Sequence, residues 1–147
     1  MKFNNETIKK AVKEWLDDAV FAEAKYGHIS DWDTSEVTNM TDLFSGAESF
    51  NQPLDNWNVS NVTDMDYMFY YASSFNQPLD NWDVSNVTHM GSMFNNASAF
   101  NQPIGDWAVS SVTSIKEMFF SARSFNQPLN NWDVSSVTNM NLTFFYA

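Results

Sequence analysis

Leu54, Trp57, Val59 and Val62, followed by Met65, Met68, Phe69 and Ala72, are the regularly spaced apolar positions of one stretch, and polar residues fill the places between them. The first four fit the L-x-x-L-x-L-x-x-N spacing of leucine-rich coils, with Val62 in the last slot. Trp57 and Val59 are two apart, which predicts a short strand with both side chains inward. The second four fall at i, i+3, i+4 and i+7, which predicts one face of a short helix. Thr63 stands where an N-cap is needed, and Thr38, Thr88, Thr113 and Thr138 repeat it. Pro53, Pro78, Pro103 and Pro128 end any helix and bias the preceding glutamine to an extended conformation.

The pattern recurs. Trp32, Trp57, Trp82, Trp107 and Trp132 mark steps of 25 residues. One such coil cannot bury its own Trp, Phe and Met, whereas stacked coils can. The predicted fold is therefore α/β: a right-handed leucine-rich-repeat-like solenoid over residues 28–147. It has about five coils, each with one short parallel strand and one short helix. Residues 1–27 lie outside the repeat. Ile8, Val12, Trp15, Leu16 and Ala19 are at helical spacing, with Asn5 to start the helix and Gly27 to end it. This segment is expected to be a helical cap over the first coil, making one domain overall.

Some polar residues repeat as faithfully as the apolar ones. Asn51, Asn76, Asn101 and Asn126 form a column that can bond to turn backbone in its own coil and the next. A binding site rarely needs one copy per coil, so these asparagines read as structural. The glutamine column (Gln52, Gln77, Gln102, Gln127) and the serine column (Ser35, Ser60, Ser85, Ser110, Ser135) read the same way.

Charge narrows the function. The net charge is −11, and residues 1–25 contribute nothing to it, with five acids and five bases. The repeats hold 13 acids against Lys116 and Arg123 alone. Phosphate neutralisation needs clustered Lys and Arg, which argues against nucleic acid and anionic membrane surfaces as partners. No run of 18 apolar residues offers a membrane insertion. The absence of cysteine removes thiol chemistry and thiolate metal sites. The two histidines, His28 and His89, belong to no catalytic motif. The expectation is a protein that is not an enzyme, without cofactors or a dedicated metal site. Calcium binding is expected to be weak and superficial at most, because no D-x-D-x-D-G loop is present.

Specificity must come from positions that vary between coils. Asp31, Asp33, Asp83, Asp106 and Asp133 flank the inward residues of the predicted strands and form one candidate partner-binding face. Tyr67, Tyr70, Tyr71 and Phe120 fall outside the buried columns of the predicted helices and form the other, with Phe145 and Tyr146 further along. Desolvated aromatics anchor protein contacts better than exposed carboxylates, so the aromatic side is preferred. A protein partner is expected. A glycan held by carboxylate and amide groups, weak cation binding, and a spacer role in a larger surface assembly are the alternatives.

The sequence "FNQPLDNWDVSNVTHMGSMF" at Phe75 resembles the repeat of BspA-like bacterial surface proteins, a leucine-rich-repeat-like family. The marks are F-N-Q-P-L, N-W-D-V-S, V-T-x-M, and M-F followed by alanine three residues later, and they recur four times. A partial match begins at "YGHISDWDTSEVTNM". The resemblance implies a solenoid, a secreted or cell-surface setting, and adhesion or protein binding. It carries no catalytic residues. No export signal is visible in "MKFNNETIKKAVKEW", and the repeat stops mid-coil at Ala147, as a divergent cap or a cut array would.

Overall fold

The computed structural model describes residues 1–147. Helix α1 spans Asn5–Asp17 and helix α2 spans Ala19–Tyr26. The start is capped by Asn4 rather than Asn5: its side chain accepts from the N–H groups of Glu6 and Thr7, and Thr7 reaches back to complete a capping box. One continuous helix was expected, but the chain breaks at Asp18. The Asp18 carboxylate accepts from Phe21 N–H and so caps α2. Gly27 ends α2 at φ 81°, a conformation open to glycine at no steric cost. A short 3₁₀ turn, Ile29–Asp31, leads into the repeats.

From Trp32 onward there is no helix and no strand. The expectation of an α/β solenoid with a strand and a helix in every coil is therefore wrong. What exists is a stack of coils built from turns. Neighbouring coils are tied by single parallel bridges at Asn39, Asp64, His89, Ser114 and Asn139.

The predicted helix fails for a definite reason. Met68 N–H donates to Met65 C=O, and Ala72 N–H donates to Phe69 C=O, so residues 65–72 form two successive four-residue turns. Tyr67 and Tyr71, third in each turn, have φ of 59° and 56°, as a type II turn requires and an α-helix forbids. Each turn points its end residues inward and its middle pair outward. Met65, Met68, Phe69 and Ala72 are accordingly buried, at the same i, i+3, i+4, i+7 spacing a helix would give. Two turns in tandem thus imitate the helical period.

The N–H groups left over by these turns bind the next coil. Met65, Tyr67, Phe69 and Tyr71 donate to the carbonyls of His89, Gly91, Met93 and Asn95, at 2.8–2.9 Å. Each coil from the first to the fourth makes the same set of four. This turn ribbon replaces the expected sheet.

The predicted strand is too short to exist. Trp57 N–H donates to Leu54 C=O and Val62 N–H to Val59 C=O, so turns close in from both sides. Only the in–out alternation survives: Leu54, Trp57, Val59 and Val62 are buried, while Asn56 and Asn58 are exposed.

Packing is repetitive. Phe44, Phe69, Phe94, Phe119 and Phe144 stack ring on ring at 5.5–5.8 Å, their planes within 10°. Phe50, Phe75, Phe100 and Phe125 form a second file at 6.0–6.1 Å. Each fully buried phenylalanine contributes roughly 1.5–3 kcal/mol. The tryptophans lie in the same interior, Trp82 and Trp107 at 3% exposure and Trp132 less covered. Each repeat indole N–H finds a carbonyl: Trp32 donates to Gly27, and Trp57, Trp82, Trp107 and Trp132 donate to Ile29, Leu54, Leu79 and Ile104 of the preceding coil, all at 2.8–3.0 Å.

The asparagine column ties coil to coil. The side-chain oxygens of Asn51, Asn76 and Asn101 accept from the backbone N–H of the next asparagine at 2.9–3.0 Å. Gln77, Gln102 and Gln127 donate to the same oxygens and to the adjoining carbonyls. At the N-terminal end, Trp15, Phe3 and Tyr26 pack around Trp32, and Asn5 Oδ1 accepts from the N–H groups of Thr38 and Asn39. No helix is long and apolar enough to cross a membrane.

Candidate interaction surface

The outward pair of every turn builds one continuous side of the molecule. Its backbone is unusual. Two positions per coil have φ near +55° or above: Asp42 and Gly46, Tyr67 and Tyr71, Ser92 and Asn96, Glu117 and Ser121, Leu142 and Tyr146. Glycine, asparagine and aspartate tolerate this left-handed region best, and a bulky residue there is a genuine outlier. Coils one and three largely follow that preference. Coil two places a tyrosine in both positions.

Those tyrosines belong to a cluster. Tyr67 packs edge-on against Tyr70, ring centres 5.6 Å apart, and Tyr70 against Tyr71 at 4.7 Å. Tyr67 and Tyr71 remain 43% and 45% exposed, while Tyr70 between them is half-buried. Partial burial, and after it the nearby Tyr71 and Glu117, hold the Tyr70 phenol above the usual tyrosine range.

Two coils further on lies a second aromatic group. Phe120 stacks on Phe145 at 5.4 Å, and Tyr146 packs on both. Between the groups coil three is polar and closed. Asn95 is only 4% exposed, donates to Glu117 Oε2 at 3.4 Å, and accepts from Asn96 Nδ2. Asn95 and Glu117, absent from the sequence-based candidates, form the floor between the two patches. The left-handed positions also escaped notice, although Gly46 and Asn96 in one column were a readable sign.

The acidic candidates lie elsewhere and do not converge. Asp33 Oδ1 accepts from the Ser35 hydroxyl at 2.6 Å and from its N–H at 3.0 Å. Asp83 and Asp133 accept from the N–H groups of Ser85 and Ser135 at 3.0 Å, with the serine hydroxyl close by. These bonds, the serine hydroxyl first, hold all three carboxyls below the usual aspartate range. Asn58 makes the same turn with Ser60, so the carboxylates are there principally as turn acceptors. Asp31 lies exposed on the 3₁₀ turn. Asp106 lines a shallow hollow of about 340 Å³ beside Gly105, where a Cβ would meet Pro128 O at 2.5 Å.

The histidines serve local bonds. His28 Nδ1 lies 2.8 Å from Ser30 Oγ at the start of the 3₁₀ turn, and His89 Nδ1 lies 2.9 Å from Thr88 Oγ1. No three His, Asp or Glu side chains gather closely enough to hold one metal ion.

A family model described as "Mycoplasma protein of unknown function, DUF285" matches residues 2–98 and, a second time, residues 77–147. The chain belongs to the DUF285 family. The two matches overlap, as one pattern does when laid twice on a repeating sequence. No curated protein and no solved structure matches the chain. DUF285 membership therefore carries the repeat character and leaves activity to be argued from the residues themselves.

Proposed function

We propose that this chain is a non-catalytic recognition module, of the BspA-like surface repeat kind, that binds a protein partner through the aromatic side of its turn ribbon. One observation carries the reading. Tyr67 and Tyr71 occupy backbone positions that disfavour them, contribute little to the buried core, and keep nearly half their surface in water. The ribbon imposes a left-handed backbone at these positions in every coil, so a tyrosine kept there although its ring is not needed in the core supports a contact made by the side chain. Three tyrosines with a half-buried member at the centre are also the composition of a protein hot spot. The acidic face is the weaker site, because Asp33, Asp83 and Asp133 already serve the turns that hold them.

The test compares Tyr70→Ala with Tyr71→Ala against Asp83→Asn with Asp133→Asn. The partner comes from a binding screen of host and neighbouring-cell proteins and glycans, read at low and moderate salt. The tyrosine pair should lose affinity tenfold or more with little salt dependence, since each anchor is worth about 1–2 kcal/mol or more. Undiminished binding in the tyrosine pair, with loss in the aspartate pair, moves the site to the acidic face. Turnover of any substrate that disappears in a point variant refutes the non-catalytic reading.

A further inference from the structure

Glu117 stands beside the tyrosine cluster with its acceptor capacity almost unused. Its side chain is only 27% exposed. Lys116 Nζ lies 3.6 Å from one carboxylate oxygen, and Asn95 Nδ2 lies 3.4 Å from the other. Both separations exceed an ordinary hydrogen bond. The other two ion pairs of the chain close to 3.0 and 2.9 Å. Asp33, Asp83 and Asp133, by contrast, are engaged by the serines that follow them. A carboxylate withdrawn from water and held this loosely is short of a donor.

The fold turns that carboxylate toward the tyrosines. Glu117 takes in coil four the left-handed ribbon position that Tyr67 takes in coil two, with φ of 55° and 59°. Asn95 takes in coil three the place of Tyr70, and its carbonyl accepts from Tyr71 N–H. To come within 3.4 Å of Asn95, the Glu117 carboxylate leans back across coil three. Ser92 and Asn95, in the coil between, are 3% and 4% exposed. Burial, then Tyr71 and Glu117, hold the Tyr70 phenol up, so the Glu117 charge is felt at that ring. The rings of Tyr67 and Tyr70 meet at 75° and those of Tyr70 and Tyr71 at 64°, which turns tyrosine faces in different directions around the cluster.

We propose that Glu117 and the three tyrosines form a receptor for one arginine side chain of the protein partner. This rests on the aromatic reading above and names what that site recognises. A guanidinium is flat, stacks on a ring face, and offers a carboxylate two parallel N–H groups. It supplies the close donors that Lys116 and Asn95 do not. A lysine ammonium reaches the carboxylate but brings neither the planar stacking nor the fork. The repeats hold 13 acids against two bases, so a cationic group is drawn to this stack. A charge pair withdrawn between rings is screened by salt much less than exposed charges are, in keeping with the weak salt dependence expected of the aromatic site.

The experiment titrates the full chain with three short glycine–serine peptides, acetylated and amidated, that carry arginine, lysine or citrulline at the centre. Citrulline keeps the shape of arginine without its charge. Tyrosine ring signals are followed by NMR. Arginine should bind at about millimolar affinity, at least about tenfold tighter than citrulline, with shifts at Tyr67, Tyr70 and Tyr71. Glu117→Gln should weaken arginine binding about tenfold. Lys116→Met removes the loose competitor and should strengthen it about two- to threefold, a gain that misfolding cannot produce. Lys10→Met, the same change of charge on α1, should not. Citrulline or lysine binding as well as arginine, or no gain in Lys116→Met, overturns the proposal. A partner that needs Tyr70 and Tyr71 but binds Glu117→Gln undiminished overturns it too, and leaves the broader aromatic site standing.

Discussion

At Tyr71 the usual order of alanine and glycine should reverse. In ordinary backbone glycine is less stable than alanine by roughly 0.5–1 kcal/mol, because it loses more freedom on folding. Tyr71 has φ 56°, where the Cβ of any L-residue crowds the following carbonyl at a cost of about 1–2 kcal/mol. Gly46, the matching residue of coil one, stands in the same region at φ 71°. Both Tyr71→Ala and Tyr71→Gly lose the same ring contacts with Tyr70, so subtracting one from the other isolates the backbone. The strain outweighs the entropy, and Tyr71→Gly should be the more stable by about 0.5–1 kcal/mol. For a chain of this size that is a melting difference of about 1–4 °C. Thermal and urea unfolding followed by tryptophan fluorescence measure it. Lys9→Ala against Lys9→Gly, on an exposed position inside α1, supplies the reference and should show alanine ahead. Alanine equal to or ahead of glycine at position 71 refutes the claim that the turn ribbon imposes the left-handed conformation.

Trp82→Ala should cost about 3–5 kcal/mol by chemical denaturation, since it empties a site packed by Phe69 and Trp107 and removes one of the two bonds to Leu54 C=O. Removing residues 1–27 should uncover Trp32 and lead to aggregation in light scattering; a truncated chain that stays monomeric with an unchanged melting point contradicts this. Acid should loosen the fold through Asp33, Asp83 and Asp133. Their folded pKa values lie below the unfolded ones, so their stabilisation is present above about pH 4 and is lost as pH falls through the folded values. Asp83→Asn with Asp133→Asn should keep the turns, as Asn58 does, and flatten that acid limb; an unchanged limb shows that the serine bonds contribute nothing.

The sequence was most legible where the interior is concerned. Leu54, Trp57, Val59, Val62, Met65, Met68, Phe69 and Ala72 are all buried, because a column that must face its own copies tolerates little else. The conformations between those columns were misread. Tandem four-residue turns bury the first and last residue of each four, which is the spacing of a helix face, so periodicity alone cannot tell them apart. The distinction lay in Asp42, Gly46 and Asn96, residues at home in the left-handed region, standing in columns otherwise held by tyrosine, serine, glutamate and leucine. Tyr67 and Tyr71 masked that sign. The acidic face was misread in another way: an Asp-x-Ser spacing is a turn signature, and Asp33, Asp83 and Asp133 are occupied by the serines that follow them.

The direction of the ribbon bonds gives the stack an electrical axis. Four files of N–H···O=C bonds run from coil to coil with every N–H facing the fifth coil and every carbonyl facing the first. The N–H groups of Thr63, Thr88, Thr113 and Thr138 run the opposite way, as do those of Ser74 and Ala99, and cancel part of the sum. The remainder adds as peptide dipoles add along an α-helix, leaving partial negative charge on the carbonyl edge of coil one. Lys9 and Lys13 of α1 line the gap beside Thr41, Asp42 and Leu43 at that edge. The neutral N-terminal segment thus brings its cations to the negative pole of an already acidic stack, where their charge does the most good.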